Sequence, residues 1–267
     1  MCLILFATNA HPDYPLIVAA NRDETYSRPT APAAFWEDHQ HVFAGRDLEH
    51  GGTWLGISRN GRFAAVTNYR QARNPDAEHS RGALTREYLT GNATPATYVR
   101  GVDERAEAYS GFSLIVGDPG GGELWFYSNR GAAPQSIAAG VHGLSNHLLD
   151  EPWPKVLRGI AGLTSLLRAG ESEMVASLLE LLRDRAPAPD GLLPSTGIPL
   201  ERERARSASF IEGATYGTRA STVLLVAADG RALFRERRFG PGGAAAGDTE
   251  QRFEIDISRS SRAQARA

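Results

Sequence analysis

The stretch GTWLGISRNGRFAAVTNYR (residues 52–70) constrains the fold more than any other part of the chain. Asn60-Gly61 stands between two strand-like runs, and Asn-Gly suits a type I′ turn, in which both central residues take positive φ. The expected element is an antiparallel hairpin that brings Asn68 to a strand end. Other segments read the same way. Cys2 to Thr8 and Leu16 to Arg22 are short apolar runs separated by NAHPDYP, whose Asn, Pro and Asp punctuate a turn. GFSLIVGD and GELWFYSN are joined through PGG, and RASTVLLVAAD, GRALFRERRFG and RFEIDIS finish the chain as strands. Between them lie segments of helical composition, SRGALTREYLTG and TPATYVRGVDERAEAYSG, each closed by Gly. In EPWPKVLRGIAGLTSLLRAG, Trp153, Val156, Leu157, Ile160 and Leu167 recur at helical spacing, and SEMVASLLELLRD repeats the pattern with Met174, Leu178, Leu181 and Leu182. Residues 186–215, Pro-rich and then charged, read as a long surface excursion. Strands, paired helices and strands again, without regular βαβ alternation, predict an α+β domain with helices packed on sheet faces. It is expected to run over residues 1–257, with 258–267 a disordered basic tail.

Composition removes several function classes. The 29 basic and 31 acidic residues give a net charge of -2, and the aromatic residues are scattered rather than set out as a stacking platform, so no nucleic-acid partner is expected. No run approaches the roughly 20 apolar residues of a transmembrane segment. Cys2 is the only cysteine, so no internal disulfide can form and a cytoplasmic protein is the default. The seven histidines show neither HExxH nor zinc spacing, and no metal is expected. No GxGxxG follows a strand, which removes the dinucleotide reading. Lys155 is the only lysine beside 28 arginines, a bias assigned to genome composition.

The lone thiol sits where removal of Met1 would make it the N-terminal residue. Cys2 would then carry a thiol and an α-amine with ordinary pKa values of about 8.5 and about 7.7–8.0. The amine can serve as the base for its own thiol. The bland reading, a small buried hydrophobe at a strand start, stands beside it. If the first two strands pair, the polar cluster of AANRDETYSRP lies near Cys2, and Arg22 and Asp23 are placed to stabilise a thiolate and orient the amine. Asn68 and Asn146 end apolar runs and carry amides suited to an oxyanion hole, although Asn is also a common turn residue. Arg219 precedes a strongly apolar strand, either as a site cation or as an edge charge.

Met-Cys at the start, AANRDETYSRP, GGTWLGISRNGRFAAVTNYR, GLSNHLLDEPWPKV and YGTRASTVLLV together resemble the NRDE-domain family, also called the transport and Golgi organisation family. The resemblance runs from Met1 to about residue 235. It implies the N-terminal-nucleophile hydrolase fold, a four-layer αββα sandwich of antiparallel sheets. It also implies links to secretory-pathway organisation, lipid or acyl-CoA metabolism and haem trafficking, which do not share one molecular activity. More distantly the chain is similar to choloylglycine hydrolases and penicillin V acylases. That likeness implies Cys2 as nucleophile, Asp23 as the site aspartate, Asn68 and Asn146 as the two asparagines, and Arg219 as the late arginine. One position departs: three residues before Asp23 stands Ala20, and the nearby cation is Arg22. Two functions follow as expectations. One is a cofactor-independent amide or acyl-thioester hydrolase acting through Cys2 on a small-molecule substrate. The other is a non-catalytic carrier of haem or an acyl lipid in the same cleft.

Overall fold

The computed structural model describes residues 2–72, 77–131 and 133–256. The predicted basic tail lies outside the described residues.

The first sheet contains, in spatial order, β10 (Gly140–Leu144), β1 (Cys2–Thr8), β2 (Leu16–Thr25), β11 (Tyr216–Val226), β12 (Arg231–Phe239) and β13 (Ala245–Glu254). The second runs β3 (Thr30–Phe35), β4 (Val42–Asp47), β5 (Leu55–Ser58), β6 (Phe63–Asn68), β7 (Phe112–Asp118), β8 (Glu123–Ser128) and β9 (Gln135–Ser136). All strand pairs in both sheets are antiparallel.

Strand alternation builds the layers. In β1, Ile4 and Phe6 face the second sheet and meet Phe43, Leu55 and Ile115 there, while Leu3, Leu5 and Ala7 point the other way. Those outward residues are covered by α3 (Pro154–Leu166) and α4 (Glu171–Leu181) through Val156, Leu163, Met174 and Leu178. On the far face of the second sheet, α1 (Gly82–Thr90) and α2 (Pro95–Asp103) bury Leu84, Tyr88, Val99 and Val102 against Ala64, Val66 and Leu114. The result is the expected αββα sandwich. The central strands β1, β2, β5, β6, β7 and β11 bury residues on both faces, which explains why their apolar runs read as near-continuous rather than alternating.

Three local expectations change. Ser58 N–H donates to the Arg62 carbonyl (2.8 Å), so the β5–β6 loop holds three residues, 59–61, and only Gly61 takes positive φ (77°). That is a three-residue hairpin closed by a left-handed glycine rather than a type I′ turn. Strands β3 and β4 were not expected. Residues 186–215 are not a plain surface excursion: they include α5 (Leu200–Ala205) and bury Glu203, Ser207, Ser209 and Phe210.

Candidate active site around Cys2

Cys2 begins β1 at the end of the sandwich where the two sheets are stitched together. It pairs with Arg22 across β1–β2, and Arg22 in turn pairs with Ala220 of β11. Behind β10, the Ser145 hydroxyl donates to the Cys2 carbonyl (3.1 Å), and Thr67 of β6 donates to the Ser145 carbonyl (2.8 Å). One short segment therefore binds the first sheet to the second beside the thiol.

Asn146 is fully buried, and both ends of its amide are engaged. Its Oδ1 accepts from the Cys2 backbone nitrogen (3.2 Å), and its Nδ2 donates to the Asn68 carbonyl (3.0 Å). Its own carbonyl accepts from the Arg70 N–H (2.7 Å). Asn68, by contrast, lines two cavities. One, of about 110 Å³, is walled by Cys2, Arg22, Asp23, Trp54, Asn68 and Arg81. The other, of about 200 Å³, is walled by Glu24, Asn68, Arg70, Asn146, Arg206 and Tyr216. Asn68 and Glu24 belong to both, so the cavities adjoin at these two residues, the first of them opening onto Cys2.

Asp23 is 2% exposed, and its Oδ1 accepts from the Thr218 hydroxyl (2.7 Å). Burial pushes its carboxyl above the usual range. Burial likewise pushes the Cys2 thiol up and the Asp23 charge adds to it, while the N-terminal ammonium and, less strongly, the Asp23 N–H and Arg22 pull it back toward the thiolate. Arg22 is itself buried, donating to Thr30 Oγ1 (3.3 Å).

Arg219 is not part of this cavity. It occupies the bulge where the β2–β11 register shifts between Thr218 and Ala220. Its guanidinium donates to the carbonyls of Thr25 (3.2 Å) and Arg28, holding the turn after β2, and it lines a neighbouring cavity with Arg22 and Glu236. The bulge hands the contact with Asp23 to Thr218.

The structure also brings in residues that the sequence did not single out. Lys155, 1% exposed in the first turn of α3, donates to the Arg206 carbonyl (3.2 Å) and lies within electrostatic reach of Asp23 and Cys2. Arg70 and Glu203 form a buried ion pair, and the Arg70 guanidinium covers the Trp153 ring at 4.5 Å. Being the sole lysine was the one signal for Lys155. Nothing local marked Glu203. Asp47, Glu49 and His50 converge as three metal-type ligands, but Arg28 fills their centre, 2.6 Å from Asp47, 3.1 Å from Glu49 and 3.0 Å from His50. The cation of that cluster is a guanidinium.

Two facing antiparallel sheets between helix layers, with a cysteine at the start of the first strand, define a protein of the N-terminal-nucleophile hydrolase fold. The chain superimposes on penicillin V acylase from Agrobacterium tumefaciens with a TM-score of 0.53 at 13% identity, covering 96% of this chain and 86% of that one. A variant of the conjugated bile acid hydrolase from Clostridium perfringens gives 0.51 at 9% identity, covering 96% and 98%. The chain belongs to the Transport and Golgi organisation 2 family, whose profile matches residues 1–241. It is 39% identical over 259 residues to the Transport and Golgi organization protein 2 homolog of Bos taurus, spanning 89% of this chain and 92% of the relative. The Homo sapiens homolog is 37% identical over 257 residues with the same coverage, and the Drosophila melanogaster protein 31% identical over 260. No helix among the described residues is long and apolar enough to cross a membrane.

Proposed function

We propose that the protein is an N-terminal-cysteine hydrolase of amides or acyl thioesters, acting by acyl transfer through Cys2 once Met1 is removed. The observation that carries this reading is the Cys2 nitrogen held at 3.2 Å by Asn146 Oδ1, beside the buried Asp23 and a cavity lined by Cys2 and Asn68. The freed α-amine takes the thiol proton, and the sulfur attacks the substrate carbonyl. Asn68 donates to the developing oxyanion. The ammonium returns the proton to the leaving amine or thiol, and water, deprotonated by the same amine, hydrolyses the thioester to regenerate Cys2. Asp23 and Asn146 orient the amine, Arg22 favours the thiolate, and Arg219 acts only through the turn it holds.

The cavities, at about 110 and 200 Å³, fall below the roughly 300–1,000 Å³ common for drug-sized ligands. They carry arginines and asparagines where a carrier would need an apolar slot. This favours a compact acyl substrate over carriage of haem or a long acyl lipid. No step calls for a cofactor, and a lone thiol suits a cytoplasmic, reducing setting.

Intact mass measured before and after incubation with a thiol-reactive acylating probe reports Met1 removal and Cys2 acylation together. It is followed by panels of amides and acyl thioesters. The expected result is a Met1-free protein, one acyl group at Cys2 and turnover abolished by Cys2→Ser. Retained Met1, or turnover indifferent to Cys2, overturns the proposal. A Soret shift on haem titration, lost in Cys2→Ser, would favour the carrier.

A further inference from the structure

Lys155 is buried beneath the nucleophile and has no assigned work in the scheme above. Its ammonium uses one donor on the Arg206 carbonyl, and the charged groups around it come from four other elements. Asp23 at the end of β2 and Cys2 at the start of β1 attract it; Arg70 after β6 and Arg206 after α5 repel it. Tyr216 of β11 shares the same surroundings, with Arg206 over its ring at 5.6 Å. Arg70 is already committed to Glu203, which leaves Lys155 as the cation facing Asp23 from the helix layer.

The position is costly. A charge buried to 1% exposure is unfavourable unless anions compensate it, and burial draws Lys155 down to about 8. A chain that otherwise uses arginine 28 times keeps its single lysine here. An ammonium is a compact point charge and a guanidinium a planar fork, so the two are not interchangeable at a confined site. Around it stand two groups, the Asp23 carboxyl and the Cys2 thiol, both disfavoured by burial from becoming anions; the N-terminal ammonium is the larger counter-charge to each, and Lys155 is the next cation acting on Asp23.

We propose that Lys155 is a positioning residue of the Cys2 site, its buried ammonium adding to the N-terminal ammonium the counter-charge that lets the Asp23 carboxylate and the Cys2 thiolate exist together. The assignment rests on the reading of Cys2 as nucleophile. It adds that the protonation state of the nucleophile is set from the helix layer, through a residue that touches no substrate.

With one lysine in the chain, full-length protein labelled with [ε-13C]lysine shows a single side-chain resonance. Its titration midpoint is expected near 8 and should fall by at least about one unit in Asp23→Asn. In parallel, alkylation of Cys2 by iodoacetamide is followed by intact mass across pH. Lys155→Met is expected to raise the alkylation midpoint by about one unit, slowing alkylation near neutral pH by about tenfold. Lys155→Arg, which restores the charge but not its compact shape, should recover only part of that loss. Thermal melts of each variant establish that it is folded. A lysine midpoint unmoved by Asp23→Asn, or a Lys155→Met profile that overlays the wild type, overturns the proposal. Neither readout needs turnover: coupling without hydrolysis of any amide or thioester upholds this inference while refuting the hydrolase.

Discussion

At the scale of single residues, the two asparagines that look alike in the sequence part company in the structure. Asn146 is buried with both amide ends engaged, so Asn146→Ala leaves the Cys2 nitrogen without its acceptor and the Asn68 carbonyl without its donor. An unsatisfied buried polar group costs about 1–3 kcal/mol, and urea unfolding should register that loss of stability together with the loss of activity. Asn68 is only half-buried and lines both cavities. Asn68→Ala should lower kcat by about 10²–10³, the equivalent of about 2.7–4 kcal/mol, with little change in the unfolding midpoint. A stability loss in Asn68→Ala as large as in Asn146→Ala would reverse the assignment. The clustering of Cys2, Arg22, Asp23, Asn68 and Asn146 was legible because polar residues at or near the ends of apolar strands in both sheets collect at one end of the sandwich. Arg219 was placed at the site and is not there, because a one-residue bulge turns it away and presents Thr218 to Asp23. Lys155 was legible only as a count, since a lysine at the start of an amphipathic helix reads as surface.

At the scale of elements, the wall of the Cys2 cavity depends on how closely α1 approaches the link between β4 and β5. A Cβ on Gly52 would lie 2.4 Å from the Gly82 carbonyl oxygen and 2.5 Å from its carbon, both rigid backbone atoms. Thr53 and Gly82 line the cavity, so Gly52→Ala must push the start of α1 outward and reshape it. Overpacking of this kind costs about 1–3 kcal/mol. At roughly 2–4 °C per kcal/mol for a chain of this size, calorimetry should show Tm lowered by several degrees. Unchanged Tm and unchanged alkylation of Cys2 would mean that the close approach is not structural. Long periodic helices and Gly-punctuated hairpins were readable because their signals are local. The short strands β3 and β4 were not, since Pro32 and the polar residues between the strands around His39 and His41 resemble a loop until β4 pairs with β5 and β3 with β4. The segment 186–215 failed for a related reason: its burial is decided by partners far along the chain, such as Arg70 for Glu203.

At the scale of the whole molecule, the layered architecture followed from strand and helix order, because antiparallel sheets with paired helices have few ways to cover both faces. What order could not reveal is that the site is held together at a cost in stability. The cost shows in the pH dependence of folding. Lys155 has a folded-state value of about 8 against an ordinary 10.5, so between those values the unfolded chain binds more protons and stability rises with pH. Below about 8 the ammonium is charged in both states, and the full penalty of burying it, on the order of 3 kcal/mol, is present. Replacing it by an apolar side chain of similar length should remove that penalty, because Asp23, left without this counter-charge and already pushed up by burial, takes up a proton rather than standing as a lone buried anion. Urea unfolding is therefore expected to find Lys155→Met more stable than wild type near pH 7, with the gap closing as pH rises from 8 toward 10.5. The opposite order at pH 7, with the wild type more stable, would make Lys155 a structural ion-pair partner rather than a charge retained for Cys2. A stabilised but slowly alkylated Lys155→Met is the combination that a residue kept for chemistry at the expense of folding must produce.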